Sequence, residues 1–489
     1  MNRLAPLVLA ACALAVGIAA AIHYAHGGLT LSHYDARAHL VVARRIIDSL
    51  TPGWMQIGAV WLPLPHVMNM LPVQVDAWYR TGASAVVLSA IGMAAAVWAL
   101  ASFTVRTTGS IVAALAGAAL LVLNPNVLYL QSTPMTEPLL FGFSLLAVSL
   151  TSSWLDAGAD TWPTSAGLAA AAACLTRYEA WPITGALIVL TGAVLLRRGM
   201  NLSSSIIACV KLAAWPAAAI LLFLANSRWT VGSWFVSGGF FVPENVEALG
   251  HPWAAWEQVR DGLYRLSGTI AVRSAYLGAA LVTIAFARSR TRAPLLLVLA
   301  LAAAGLLPWY AYIQGHPFRI RYDVPLTAAC AATAGAAIGL LDRRLRPFVA
   351  AALVTAVLSQ APPLDRQAPL IAESQRDATN MAGREPVTSY LASHRDGRTI
   401  LVSMGSLGHY IHDLSREGFA IHDFLHEGNG ELWTFAMLRP SGIVGWILVE
   451  ERAEGGDAIF QAARRNAQFL DGFTRVAQGG GVALYQRVP

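Results

Sequence analysis

The sequence predicts a polytopic α-helical membrane protein with a smaller α/β domain at its C-terminal end, and three observations carry the prediction. First, only 13% of the 489 residues are charged and 56% are hydrophobic, with a mean hydropathy of +0.52. A soluble chain would carry roughly a quarter charged residues. Second, the apolar stretches are long and rich in Ala, Leu and Val. A membrane barrel would instead show alternating segments of about 10 residues, so helices satisfy the backbone here. Third, the composition turns polar and slightly acidic after Pro362. A cytosolic globular enzyme and a disordered protein are excluded together.

Taken in order, the apolar segments lie near 4–22, 82–103, 110–124, 138–154, 165–176, 182–196, 205–224, 269–287, 294–310, 324–341 and 347–361. Judged against the ~20 residues needed to cross, they make about eleven transmembrane helices. Two pairs are short, interrupted at Asn124–Glu137 and at Thr176–Trp181, and each reads either as a hairpin or as one bent helix. The cations arbitrate. Nearly all are Arg, Lys211 being the one lysine, and they cluster between apolar runs at Arg106, Arg197–Arg198, Arg288–Arg292 and Arg343–Arg346. Eleven spans, with Arg3 inside, put every one of these clusters in the cytoplasm, as the positive-inside bias requires. The net charge of +6 and the pI near 9.3 are therefore a topology signal, and nucleic acid is not a partner. The expected protein is multi-pass in the bacterial cytoplasmic (inner) membrane, with a cytoplasmic N-terminus and an extracytoplasmic C-terminal domain.

The first segment also resembles a secretory signal peptide, whose removal would leave ten spans and the same outer loops. Trp154, Trp162, Trp181, Trp229, Trp234 and Trp309 stand where an interfacial belt is expected. Cys12, Cys174, Cys209 and Cys330 lie in or beside apolar runs, with no disulfide framework and no thiolate metal spacing.

Two regions fall outside the membrane. The first outer loop, 23–81, holds a helix-like stretch over Ala36–Leu50 and a Pro- and Trp-rich segment from Trp61 to Pro72 that reads as lying in the interface. It is grouped with the spans in a module 1–361. The second region, 362–489, shows buried-strand runs at 399–403, 445–449 and 482–485 and an amphipathic helix at 457–469.

Four polar features sit at the outer ends of spans in this topology: His33-Tyr34-Asp35-Ala36-Arg37-Ala38-His39, Thr133-Pro134-Met135-Thr136-Glu137-Pro138, Thr176-Arg177-Tyr178-Glu179, and His316 to Asp323 with Arg319, Arg321 and Tyr322. Arg177, Arg319 and Arg321 on that side oppose the prevailing bias, and ionisable groups at membrane depth are costly enough to mark a site. Each has an ordinary alternative. Asp35 reads also as a solvated loop residue, Arg319 and Arg321 as headgroup anchors, Glu137 as a helix N-terminal acid, and Arg177–Glu179 as a structural ion pair. Their joint occurrence on one side weighs for a shared polar cleft.

These residues resemble the GT-C class of membrane glycosyltransferases, in the bacterial branch related to protein O-mannosyltransferases and lipid A aminoarabinose transferases. The acid early in the first outer loop (Asp35), the Pro-Met-Thr-Glu-Pro segment (Glu137) and the Arg-Tyr-x-x-Pro segment (Arg321, Tyr322, Pro325) carry the resemblance. It implies a GT-C-like fold and an inverting transfer of a sugar from a polyprenyl-monophosphate carrier to a lipid, glycan or protein acceptor at the outer face. It also implies the roles. Arg321, with Arg319 second, meets the charge developing on the carrier phosphate. Asp35 takes the acceptor's proton. Glu137 orients the acceptor or helps hold a metal, and Arg177 holds Glu137 or a second phosphate oxygen. Tyr34, His39, Tyr178, Glu179, His316 and Tyr322 are further cleft candidates, with His33 and His66 as polar contacts. Mg²⁺ or Mn²⁺ between Asp35, Glu137 and phosphate is a possible addition. The pairs His409/His412 and His422/His426 have metal-like spacing but read as loop and turn residues. The competing readings are a transporter or lipid flippase, and a polysaccharide polymerase using diphosphate-linked donors.

Overall fold

A computed structural model describes residues 4–236, 245–453 and 455–488. Arg3, on which the N-terminal orientation rests, and residues 237–244 of the loop 225–268 lie outside these. Every one of the eleven expected apolar segments is helical. Eight are long and apolar enough to cross a membrane: Leu4–His26, Ala83–Thr108, Glu137–Asp156, Ala180–Arg197, Leu202–Val231, Thr269–Arg288, Ala293–Ile313 and Ile320–Leu340. Three are shorter, Ile111–Val122, Thr164–Cys174 and Arg346–Gln360. The protein is thus a polytopic helical membrane protein with a small C-terminal sheet. At both interruptions the chain forms two separate helices, not one bent helix. Pro125–Leu130 intervenes in the first and a turn over 175–179 in the second.

Packing divides the chain into two compact units, Met1–Gly27, Val86–Asn226 and Pro243–Ala372 in one, and Gly28–Ala85, Ser227–Val242 and Glu373–Pro489 in the other. In the first unit, Pro325–Leu340 is buried along nearly its whole length, which its Ala, Gly and Thr residues permit. Without a hydrophobic drive between helices in lipid, close backbone packing of small residues holds them together. A methyl group at Gly335 would stand 3.0 Å from the Gly117 Cα, and one at Gly278 would stand 2.9 Å from the Thr333 carbonyl oxygen. The flanking helices instead expose apolar side chains such as Leu7, Val8, Leu221, Leu222 and Leu277, the surface lipid covers.

The second unit contains a five-stranded sheet in the order β2-β1-β3-β5-β4, formed by β1 (Ile400–Val402), β2 (Phe424–Leu425), β3 (Trp446–Glu450), β4 (Phe473–Gly479) and β5 (Val482–Arg487). β1 runs parallel to β2 and β3, while β5 is antiparallel to β3 and β4. β3 is buried on both faces. Trp446 and Leu448 enter one core with Ile400, Val402, Phe424 and Leu484, and Ile447 and Val449 enter the other with Leu401, Ala436 and Ile459. The first core also takes Leu40, Val41, Ala43, Val73 and Tyr79, so the first loop, grouped with the spans from sequence, packs with the tail. The helix expected over Ala36–Leu50 is Tyr34–Arg44, and the one expected over 457–469 is Ala458–Arg465, capped by Asp457 accepting from the Phe460 N–H at 2.8 Å.

Candidate functional site

The helix Glu137–Asp156 opens with Pro138 in its first turn, where a missing N–H costs nothing and an acid is favoured by the dipole. Its entry is pinned twice to the helix Ala83–Thr108. The two backbones touch at glycines, where a methyl group on Gly92 would meet the Pro138 carbonyl oxygen at 2.8 Å and one on Gly142 the Gly92 oxygen at 2.8 Å. Ser89 Oγ lies within hydrogen-bond reach of the carbonyl oxygens of both Thr133 and Met135, at 3.0 and 3.1 Å. Glu137 is consequently held with no exposure.

Two guanidinium groups converge on it. Arg177, in the turn after Thr164–Cys174, brings Nη1 to 3.1 Å from Glu137 Oε1, and Arg321 brings Nε to 3.5 Å from the same oxygen. Arg177 also donates through Nη2 to Glu179 at 2.7 Å and through Nη1 to Thr136 Oγ1 at 3.1 Å. Arg321 is itself buried, on the short 3-10 turn Ile320–Asp323 that precedes Pro325. In the same turn the buried Asp323 places its carboxylate where a side chain at Gly262 would stand. Tyr322 lies under the Arg321 guanidinium, 5.7 Å from its ring centre, and packs edge-on against His316 at 5.3 Å. Arg319 is half-buried, its carbonyl oxygen accepting from Tyr312 Oη at 3.0 Å. Tyr178 packs against Trp181 and Phe223.

Glu137, Arg177, Glu179 and Arg321 thus form one buried network from three helix ends. Its two carboxylates and two guanidiniums balance, and Arg319 adds positive charge two residues before Arg321 in the chain. Glu137 does not suit a divalent cation, since two positive groups already lie within 3.5 Å of one of its oxygens. It suits the holding of the two arginines.

Asp35, Tyr34 and His39 belong to the second unit. Asp35 is buried in the first turn of Tyr34–Arg44, its N–H donating to Nδ1 of the capping His33 at 3.1 Å. Tyr34 stacks on His33 at 4.7 Å and meets His409 edge-on. His39 is buried against Trp61 at 4.1 Å, with Nδ1 3.0 Å from His66 Nε2.

Sequence reasoning missed a second charged network in this unit. Arg37 bridges Asp377 at 2.8 Å and Asp413, and Arg384 reaches His409 Nε2 at 2.8 Å and Glu450 at 3.3 Å. Burial first, then Arg384 and Arg37, push His409 down to about 4. Burial, aided by Asp377 and Asp457 against Arg384, pushes Glu450 up to about 7. The position of Arg37 inside the singled-out His33–His39 run was the one available signal. His409 and His412 stand on the helix Met404–Leu414, not in a loop, and point to different partners, His412 facing the Tyr79 carbonyl oxygen at 3.0 Å. His422 pairs with Asp48 at 2.6 Å, and His426 accepts from the Gly428 N–H.

No family model and no curated protein matches the sequence. Among solved structures, the chain is similar to ArnT from Cupriavidus metallidurans bound to undecaprenyl phosphate, with a TM-score of 0.53, and to the same protein in the apo state, with 0.54. Each is 13% identical, and the match covers 98% of this chain and 97% of the other. The likeness is one of fold: the chain shares the GT-C fold of ArnT over nearly its whole length.

Proposed function

We propose that the protein is an inverting glycosyltransferase that moves a sugar from a polyprenyl-monophosphate carrier to a lipid, glycan or protein acceptor at the outer face of the bacterial inner membrane. The observation that supports it most is the buried Glu137–Arg177–Arg321 network in a chain with the fold of ArnT, whose structure holds undecaprenyl phosphate. A sugar on a lipid phosphate already has a good leaving group. What the reaction needs is fixed positive charge where phosphate charge develops.

Arg321, with Arg319 beside it, is assigned that charge, because a guanidinium engages two phosphate oxygens and stays protonated. Glu137 and Arg177 hold Arg321 in place, so Glu137 is a positioning residue here instead of the acceptor-binding acid. Asp35 is assigned as base. As the acceptor oxygen bonds to the anomeric carbon, its proton passes to the Asp35 carboxylate. The bond from that carbon to the phosphate oxygen breaks, and its electron pair leaves with the carrier. Because Glu137 is already engaged by two guanidinium groups, turnover in EDTA is expected to match that in Mg²⁺ or Mn²⁺.

The test is reconstituted protein given labelled polyprenyl-monophosphate sugars and envelope extract, followed by release of free carrier phosphate. Asp35→Asn and Arg321→Ala are each expected to slow release by about 10²–10³-fold. Movement of intact donor across vesicles without release would instead mean a flippase, and release only from diphosphate-linked donors would mean a polymerase. Two fully active variants would remove the site assignment.

A further inference from the structure

We propose that five arginines gathered at one end of the helical bundle form a binding site for an anionic phospholipid, whose headgroup phosphate they hold. The site lies at the Asp156 end of the helix Glu137–Asp156, about 30 Å along its axis from Glu137. It is independent of the transferase reading.

Arg197 and Arg198 close the helix Ala180–Arg197, Arg288 closes Thr269–Arg288, and Arg290 and Arg292 lie in the turn before Ala293. Two of the five are spent on neighbouring helix ends. Arg197 donates from Nε to the Phe286 carbonyl oxygen at 3.1 Å and from Nη2 to that of Ala287 at 2.6 Å. Arg198 donates from Nη1 to the Leu155 carbonyl oxygen and from Nη2 to Asp156, each at 2.7 Å. These bonds tie the C-terminal ends of three helices together. The two arginine-bearing loops also meet, since Arg290 Nη1 is 3.9 Å from the place a methyl group on Gly199 would take.

The charge of this group is not balanced. Among the described residues, Asp156 is the one acid that pairs with any of the five, so five guanidinium groups against one carboxylate leave an excess of four positive charges. Cations at the negative ends of helices are ordinary, which accounts for Arg197, Arg198 and Arg288. It does not account for Arg290 and Arg292, which precede the positive end of Ala293–Ile313. Arg288, Arg290 and Arg292 are exposed. A guanidinium fork matches two phosphate oxygens and stays charged, so an added phosphate relieves the repulsion among them. Two tracks of exposed apolar side chains lead to the cluster, Val189 and Leu196 on one helix and Leu277 and Ile284 on another. Each pair is seven residues apart and so lies on one helix face. A phospholipid uses both features, with its phosphate on the arginines and its acyl chains along the tracks. A soluble anion uses only the first.

The test is the melting temperature of the full chain in a neutral detergent, titrated with phosphatidylglycerol, phosphatidylcholine or inorganic phosphate. Phosphatidylglycerol is expected to raise it, reaching half its effect at a concentration at least about tenfold below phosphatidylcholine. Inorganic phosphate is expected to leave it unchanged. Arg288→Gln/Arg290→Gln/Arg292→Gln should weaken the phosphatidylglycerol effect by about 10²-fold, at about fivefold per arginine. The matching Lys triple keeps the charge and should stay within about tenfold of wild type. Arg343→Gln/Arg344→Gln/Arg346→Gln removes the same charge from another loop and should stay within about threefold. Equal potency of the two lipids, or equal losses in the two Gln triples, would overturn the proposal by reducing it to unspecific attraction. An equal effect of inorganic phosphate would overturn it by making the ligand a soluble anion. The lipid comparison on the wild type needs no variant to fold, and none of these outcomes bears on the transferase reading.

Discussion

Replacing Glu137 with Gln removes one buried charge while keeping the shape of the side chain, and its cost can be worked from the site. The lost oxygen lies 3.1 Å from Arg177 Nη1 and 3.5 Å from Arg321 Nε. At an effective dielectric of 20 each contact is a gross attraction of about 5 kcal/mol, offset by desolvation of the three groups. Stripping one partner from a buried ion pair leaves a net cost of about 3–5 kcal/mol. Arg177 keeps Glu179 at 2.7 Å, so the loss falls mainly on Arg321. With an unfolding entropy of about 2.1 cal/mol/K per residue, roughly 1 kcal/mol/K for a chain of this length, the melting temperature should fall by about 3–5 °C. Tryptophan fluorescence in detergent reports it, there being 15 Trp residues. The double variant Glu137→Gln/Arg321→Met should recover part of the loss, since it removes the charge left without a partner. An unchanged melting temperature in the single variant, or simple additivity in the double, would refute the pairing and with it the positioning role of Glu137.

Two further predictions concern folding. Glu450 is raised from its ordinary 4.5 to about 7, so the folded chain binds that proton more tightly than the unfolded one. Its contribution, roughly 3 kcal/mol, is complete below pH 4.5 and is lost as pH rises through 7. The melting temperature of Glu450→Gln relative to wild type should therefore climb across that window and level off above it, and a flat difference would count against the burial of Glu450 as its cause. Gly142→Val pushes a side chain into the Gly92 backbone and should cost about 1–3 kcal/mol or more, lowering membrane yield and melting temperature together. Gly185→Ala, where a methyl group meets nothing within 4 Å, should leave both unchanged.

Residue order alone determined much of this molecule. The eleven apolar helices, three of the five strands and the cost of Glu137, Arg177 and Arg321 at membrane depth are all properties of local composition and spacing, which a chain carries before it folds. β2 and β4 escaped, one being two residues long and the other half-exposed without a clear alternation. Tertiary structure alone decided partners. Glu137 could equally have been a solvated helix-capping acid. It is an anchor for two arginines because the glycine contact between Gly92 and Gly142 draws its helix entry into the bundle, where water cannot neutralise its charge. The same holds for the first loop, which joins the tail because Leu40, Val41 and Val73 complete a core that the sheet leaves open. It holds too for His39 and His66, 27 residues apart in sequence and 3.0 Å apart in space. Period and composition act over a few residues, whereas the distance between two charges is set by helices that cross far apart in the chain.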